Sequence, residues 1–144
     1  MPSATYDSLT SDFAAGNVVP ATDTLYVMLV SGYTPNSRTH ARRSDVTGEV
    51  TGTGYTAGGQ ALAGVTATLD NTTNDRTTLT ATNPTWATAT ISATGAVVYK
   101  RRGGAASADN LVSYIDFGGT VSATAAAFTI TSFATNGFLY INKV

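Results

Sequence analysis

Trp86-Ala87-Thr88-Ala89-Thr90-Ile91-Ser92-Ala93 decides the fold class. Ala87, Ala89, Ile91 and Ala93 alternate with Thr88, Thr90 and Ser92, a period of two that gives a strand one apolar face and one wet face. The alternation extends upstream. Ala61, Ala63, Val65, Ala67 and Leu69 alternate with Leu62, Gly64, Thr66 and Thr68, and Thr77, Leu79 and Ala81 alternate with Thr78, Thr80 and Thr82. Asp70-Asn71-Thr72-Thr73-Asn74-Asp75 lies between these runs and supplies turn residues, which predicts a β-hairpin with a long polar tip. Downstream, Ala96–Lys100, Leu111–Phe117, Ala127–Phe133 and Gly137–Lys143 continue the series, separated by Arg101–Ser107, Gly118-Gly119 and Thr135-Asn136-Gly137. The last separator contains Asn-Gly, a strong hairpin signal.

Two segments upstream differ from this pattern. Leu25-Tyr26-Val27-Met28-Leu29-Val30 is apolar on both faces, so a central strand covered on both sides is expected. Residues 4–15 hold the one helical spacing, with Tyr6, Leu9 and Phe13 at i, i+3 and i+7 before a Gly16-Asn17 stop. This predicts a short N-terminal helix that covers one side of the strand. Residues 32–60 follow neither period. They carry six glycines, Pro35 and many Ser, Thr and Asn residues, and Thr39–Val46 has room for a helical turn or two. A segment of this length without regular structure is usually functional or docked on a partner.

The pattern predicts an all-β single domain over 1–144, an antiparallel β-sandwich or partly closed barrel of about 7–8 strands with a short N-terminal helix. Composition agrees: of 144 residues 27 are Thr, 22 Ala and 14 Gly, and only 12% are charged. A net charge of -1 gives no electrostatic footprint for nucleic acid or an anionic membrane, so neither is an expected partner. The absence of cysteine removes disulfides, Cys-based zinc sites and thiol chemistry. The longest apolar run is six residues and Met1–Gly16 has no basic residue, so neither a membrane span nor a secretory signal is expected, and the chain is expected to stay in the cytoplasm in which it is made.

Catalytic and metal-binding patterns are sparse. His40 is the only histidine, and Ser37, Ser44 and Asp45 allow a Ser-His-Asp sketch, although sequence proximity does not assemble a triad. Asp70, Asn71, Asn74 and Asp75 offer oxygen ligands suited to calcium, but Asx-turn chemistry at a hairpin tip explains the same residues. Gly52-Thr53-Gly54-Tyr55-Thr56-Ala57-Gly58-Gly59 lacks the Gly-Lys-Ser/Thr of a phosphate loop and reads as backbone lying flat against something. Asn71-Thr72-Thr73 has the form of a glycosylation sequon without a secretory signal to give it effect. Trp86 reads as core filler rather than as a sugar-stacking platform. No enzyme activity, cofactor or metal is expected.

Basic residues are unevenly placed. Five of the eight lie in Arg42-Arg43 and Lys100-Arg101-Arg102, in or beside the glycine-rich loops. Such a grouping is a solvated loop face or a docking site for an acidic protein surface, because Arg presents a fork that matches carboxylates. The candidate protein-interface residues are Arg42, Arg43, Lys100, Arg101 and Arg102, with Tyr33 and Tyr55 in the 32–60 docking loop.

A family resemblance joins these segments. Asp23-Thr24 before an apolar strand, then Ser31-Gly32-Tyr33-Thr34-Pro35-Asn36, Thr39-His40, Ser44-Asp45-Val46 and Gly52 to Gly59, resemble small virion structural proteins of tailed bacteriophages. Ala96-Val97-Val98-Tyr99-Lys100, Ala105-Ala106-Ser107 and Leu111-Val112-Ser113-Tyr114-Ile115-Asp116-Phe117-Gly118 are similar to the same family, so the likeness covers most of residues 1–141. Ala41-Arg42-Arg43 departs from it, since acidic or aromatic residues often follow the Thr-His step. The resemblance implies a non-enzymatic structural protein. A small, compact β domain with docking loops suits repeated attachment to a shell, so a capsid decoration or cement protein on the head surface is expected, bound to the major capsid protein or to copies of itself as a homo-oligomer. Before assembly it would lie in the host cytoplasm. A tail or tail-fibre component is the nearest alternative. A carbohydrate-binding adhesin, which requires Trp86, Tyr33 or Tyr55 in an exposed groove, comes next.

Overall fold

The computed structural model describes residues 4–142. In chain order the elements are β1 (Ala4–Thr5), α1 (Ser8–Ala14), β2 (Leu25–Val30), β3 (Gln60–Ala61), β4 (Thr66–Asp70), β5 (Arg76–Thr80), β6 (Thr85–Lys100), β7 (Asn110–Thr129) and β8 (Leu139–Asn142). Single 3-10 turns occupy Arg43–Asp45 and Ala106–Ala108. One sheet has the order β1-β7-β6-β2-β3 and the other β4-β5-β8, with every pair antiparallel. The fold is therefore all-β with one short helix, as the alternation predicts. Both sheets contribute to one core, an arrangement nearer to the expected sandwich than to a barrel.

β2 shows why a strand apolar on both faces is central. Leu25, Val27 and Leu29 enter the main core with Leu79, Ile91, Val98, Val112, Ile115, Phe138 and Leu139. Met28 and Val30 point the other way, into a second cluster with Tyr6, Tyr33, Val97, Tyr99, Leu111 and Tyr114. Each fully buried side chain of this size stabilises the fold by about 1.5–3 kcal/mol, so both layers hold β2 in place.

Several expectations need correction. The helix begins at Ser8, because Ala4 and Thr5 pair with Tyr114 and Ser113 of β7 as an edge strand. Tyr6 therefore precedes the helix and fills the second cluster, whereas Leu9 enters the main core. The segments expected as separate strands at 87–93 and 96–100 are one strand, β6. Gly118-Gly119 does not separate strands either. Ala93 pairs with Val121 and Gly95 with Asp116, so residues 117–120 bulge opposite Thr94 and the ribbon of β6 and β7 continues past them. Asn136-Gly137 makes no hairpin between β7 and β8, which lie in different sheets. β8 pairs with β5, and Gly137, at φ 79°, passes against the Leu79 carbonyl. Lys143, expected in the last strand, lies outside the described residues.

The largest difference concerns 32–60, which is irregular but fastened along its length to its own chain. Ser31 N–H donates to Gly48 O at 2.8 Å, Val50 N–H to Leu29 O at 3.0 Å and Thr90 N–H to Thr53 O at 2.9 Å. Gly59 closes the segment at φ 77°, where its Cα lies so near the Val27 carbonyl that a Cβ would collide with backbone. Gly59→Ala is expected to lower stability by about 3 kcal/mol or more, because both the dihedral and the contact oppose a side chain. Urea unfolding of the variant against wild type measures this.

Candidate functional site

The loop from β6 to β7 turns back through the 3-10 turn at Ala106–Ala108 and delivers Asp109, with no solvent exposure, to the start of β7. A buried carboxylate requires donors. Asp109 Oδ2 accepts Arg43 Nε–H at 2.7 Å and Oδ1 accepts Arg102 N–H at 2.9 Å, while its backbone carbonyl accepts Arg43 N–H at 3.0 Å. The 32–60 and 101–109 loops are thus held to one another through a single residue.

Asn110 extends the clasp to the helix. Its Nδ2 donates to Asp12 Oδ2 at 2.9 Å and its Oδ1 accepts Arg102 Nε–H at 3.0 Å. Asp12 is buried in α1, accepts Asn17 Nδ2 at 3.3 Å and faces Arg42 Nη1 at 3.5 Å. The Asn17 carbonyl accepts Lys100 Nζ at 2.6 Å and Arg102 Nη2 at 3.2 Å, and Lys100 also pairs with Asp23 at 3.0 Å. Asp45 Oδ2 accepts the amides of Ala41 and Arg42 at 2.9 Å each, and these two bonds hold its carboxyl below the usual range.

An aromatic ladder supports the outer side. The Arg43 guanidinium stands 5.2 Å from the Tyr99 ring centroid, Tyr99 lies 6.0 Å from Tyr26, and the Arg101 guanidinium stands 4.6 Å from Tyr26. Tyr26 and Tyr99 are cross-strand partners on β2 and β6, so the sheet fixes their spacing. Burial pushes the Tyr99 phenol up to about 12, although Arg43 and Arg101 favour its ionised form. Its hydroxyl donates to Gly58 O at 2.6 Å.

The structure brings the five predicted cations to one end of the molecule and divides their roles. Arg43 and Lys100 are internal ties, with side chains 23% and 15% exposed. Arg42 is partly outward, and Arg101 and Arg102 are exposed. Tyr33 is buried and Tyr55 half-buried, and both direct their hydroxyls to groups of their own chain. The Tyr33 hydroxyl lies 3.0 Å from that of Tyr6 and 2.8 Å from His40 Nδ1. Tyr55 OH accepts Leu29 N–H at 3.0 Å, donates to Glu49 Oε1 at 2.9 Å, and its ring packs 5.8 Å from Trp86. Trp86 is buried in the main core, as its reading as core filler expects.

The remaining candidates also have local explanations. His40 Nδ1 faces Tyr33, and Asp45 is engaged by backbone amides, so the Ser-His-Asp sketch is not assembled. Asp70 organises the hairpin tip by accepting Thr72 N–H at 3.1 Å, Thr73 N–H at 3.0 Å and Asn74 Nδ2 at 2.7 Å. Among the described residues no group of three or more His, Cys, Asp or Glu is placed to hold a metal. The backbone of Gly52 and Gly54 lies flat against the carbonyls of Thr90 and Thr88. No helix among the described residues is long and apolar enough to cross a membrane.

Sequence reasoning missed Asp12, Asn17, Asp109 and Asn110, the groups that organise the clasp. The available signal was the polar pair Asp109-Asn110 abutting the apolar run that opens at Leu111. Comparison with protein family models, curated proteins and solved structures gives no significant match to this chain. Removing the Arg43 side chain leaves the Asp109 carboxylate buried without its cation, so Arg43→Ala is expected to cost about 3 kcal/mol of stability. Arg101→Ala, which removes an exposed cation from a ring, is expected to cost less than about 1 kcal/mol. Chemical denaturation of the two variants checks the order.

Proposed function

We propose that this chain is a virion structural protein of a tailed bacteriophage, a decoration or cement protein that binds outside the major capsid lattice and stabilises the head. The single observation that carries the reading joins the family-like sequence blocks to the clasp. Ser44-Asp45-Val46 and Ala105-Ala106-Ser107 are about sixty residues apart, yet their 3-10 turns pack together beside Asp109. Two of the blocks on which the resemblance rests therefore meet at one place in the fold.

The physics of attachment supports the reading. A docking surface whose loops are already ordered loses little further conformational entropy on binding. A specific interface needs roughly 1,000 Å² or more, and a lattice multiplies each modest contact by symmetry. Arg42, Arg101 and Arg102 are the cations placed to face a partner, the major capsid protein or a sibling copy. Arg43 and Lys100 act by keeping that surface rigid.

Copy number in purified particles tests the proposal. Quantitative mass spectrometry against the major capsid protein is expected to give a ratio near one or another simple lattice fraction. A few copies per particle would assign the chain to the tail instead, and absence from particles would remove the virion reading.

A further inference from the structure

We infer that β4 is a self-complementary edge through which two copies of this chain pair antiparallel, joining their three-stranded sheets into one of six strands. The pairing gives the expected homo-oligomer a surface, and it stands on the small sheet alone, whether or not the virion reading holds.

An unpaired strand edge is a template for another strand, and most edges in this fold are short or broken. β1 and β3, the edges of the larger sheet, have two residues each. Past the two residues that β1 covers, β7 is interrupted by the bulge at 117–120 and by Ala125 at φ 47°. β8, at the far edge of the small sheet, is buried at Leu139 and half-buried at Tyr140. β4 has none of these protections. It pairs with β5 in unbroken register over Thr66–Asp70, its first four residues are exposed, and it holds no proline, lysine or arginine. Its end is already ordered, since Asp70 Oδ1 accepts the amides of Thr72 and Thr73, so pairing costs little further entropy.

The apolar side of this sheet reaches past the core. Ala67, Leu79 and Leu139 are cross-strand partners in one row, and Leu69, Thr77 and Ile141 form the next row on the same face. Leu79 and Leu139 are buried in the core, whereas Leu69 is 68% and Ile141 42% exposed. Pairing centred on Thr68 sets Leu69 opposite Ala67 of the second copy and Ala67 opposite its Leu69. The buried row of each sheet then runs on into the uncovered row of the other.

Sequence pattern and charge together select a second copy as the partner. Thr66-Ala67-Thr68-Leu69-Asp70 alternates polar and apolar alike from either end, as an edge contact across a two-fold axis requires. Antiparallel pairing places each Asp70 opposite a neutral Thr66. Parallel in-register stacking would set Asp70 beside Asp70 in every successive copy, so the contact closes as a dimer and does not run on as a fibril.

Five residues a side fall well short of the about 20–30 of a standard interface, so the contact is weak in dilute solution and cross-linking suits it best. The chain has no cysteine, and single cysteines therefore report the register. In concentrated protein under mild oxidation, Thr68→Cys, which faces its own copy, is expected to form a disulfide-linked dimer at least about 10-fold faster than Thr66→Cys. The equally exposed Thr66 faces Asp70, and its own copy lies beyond the about 7 Å between Cα atoms that a disulfide spans. Adding Ala67→Lys and Leu69→Lys to Thr68→Cys sets lysine opposite lysine and is expected to remove the advantage. Equal rates for the two cysteines, or an advantage that survives the lysines, would overturn the inference. In wild type, raising the concentration is expected to shift the amide resonances of residues 66–70 more than those elsewhere, and signals that stay fixed there would also overturn it. Neither measurement uses particles, so failure here leaves the copy-number result standing, and the reverse.

Discussion

A carboxylate with no solvent exposure must be surrounded by donors, and Asp109 meets that requirement with groups from two distant loops. Arg43 comes from the irregular 32–60 segment, and the Arg102 amide from the turn between the two longest strands. Separating either loop from the body would leave the charge buried and under-solvated. The carboxylate therefore positions both loops, and Asn110, one residue later, carries the constraint to Asp12 and the helix. In a chain with only 12% charged residues, most of the basic ones converge on this one end.

The regular part of the fold is legible because it depends on periodicity. The two-residue alternation around Ile91 and the double-faced apolar run from Leu25 to Val30 each describe surfaces that must be buried, and the sheets bury them. Gly95 and Gly118-Gly119 mislead because a glycine marks a break only when the partner strand also ends. Here the partner continues, and the irregularity is absorbed as a bulge. Asn136-Gly137 misleads for a related reason: the strand it introduces finds its edge on β5 rather than on β7.

The clasp is illegible for a different reason. Its order arises from single hydrogen bonds and ion pairs between residues as far apart as Arg43 and Asp109, with no repeating spacing to reveal them. Locally, Arg42-Arg43 and Lys100-Arg101-Arg102 look alike, so all five cations read as one docking set. Only the fold shows that Arg43 and Lys100 point to carboxylates of their own chain while Arg101 and Arg102 do not. The same applies to Tyr33 and Tyr55, which lie in a glycine-rich loop but have hydroxyls aimed inward. On the proposed reading, inward ties supply rigidity and the outward forks supply recognition.

Residues 41–59 are fixed structure, tied at Arg43 to the buried carboxylate and at Val50 and Thr53 to the strands. Hydrogen exchange at individual amides tests it most directly. The amides of Arg43, Val50, Thr90 and Leu111 are expected to exchange slowly and together with those of β2 and β6, since each donates to a defined carbonyl. Unprotected exchange through 41–59 while β2 and β6 remain protected would contradict it.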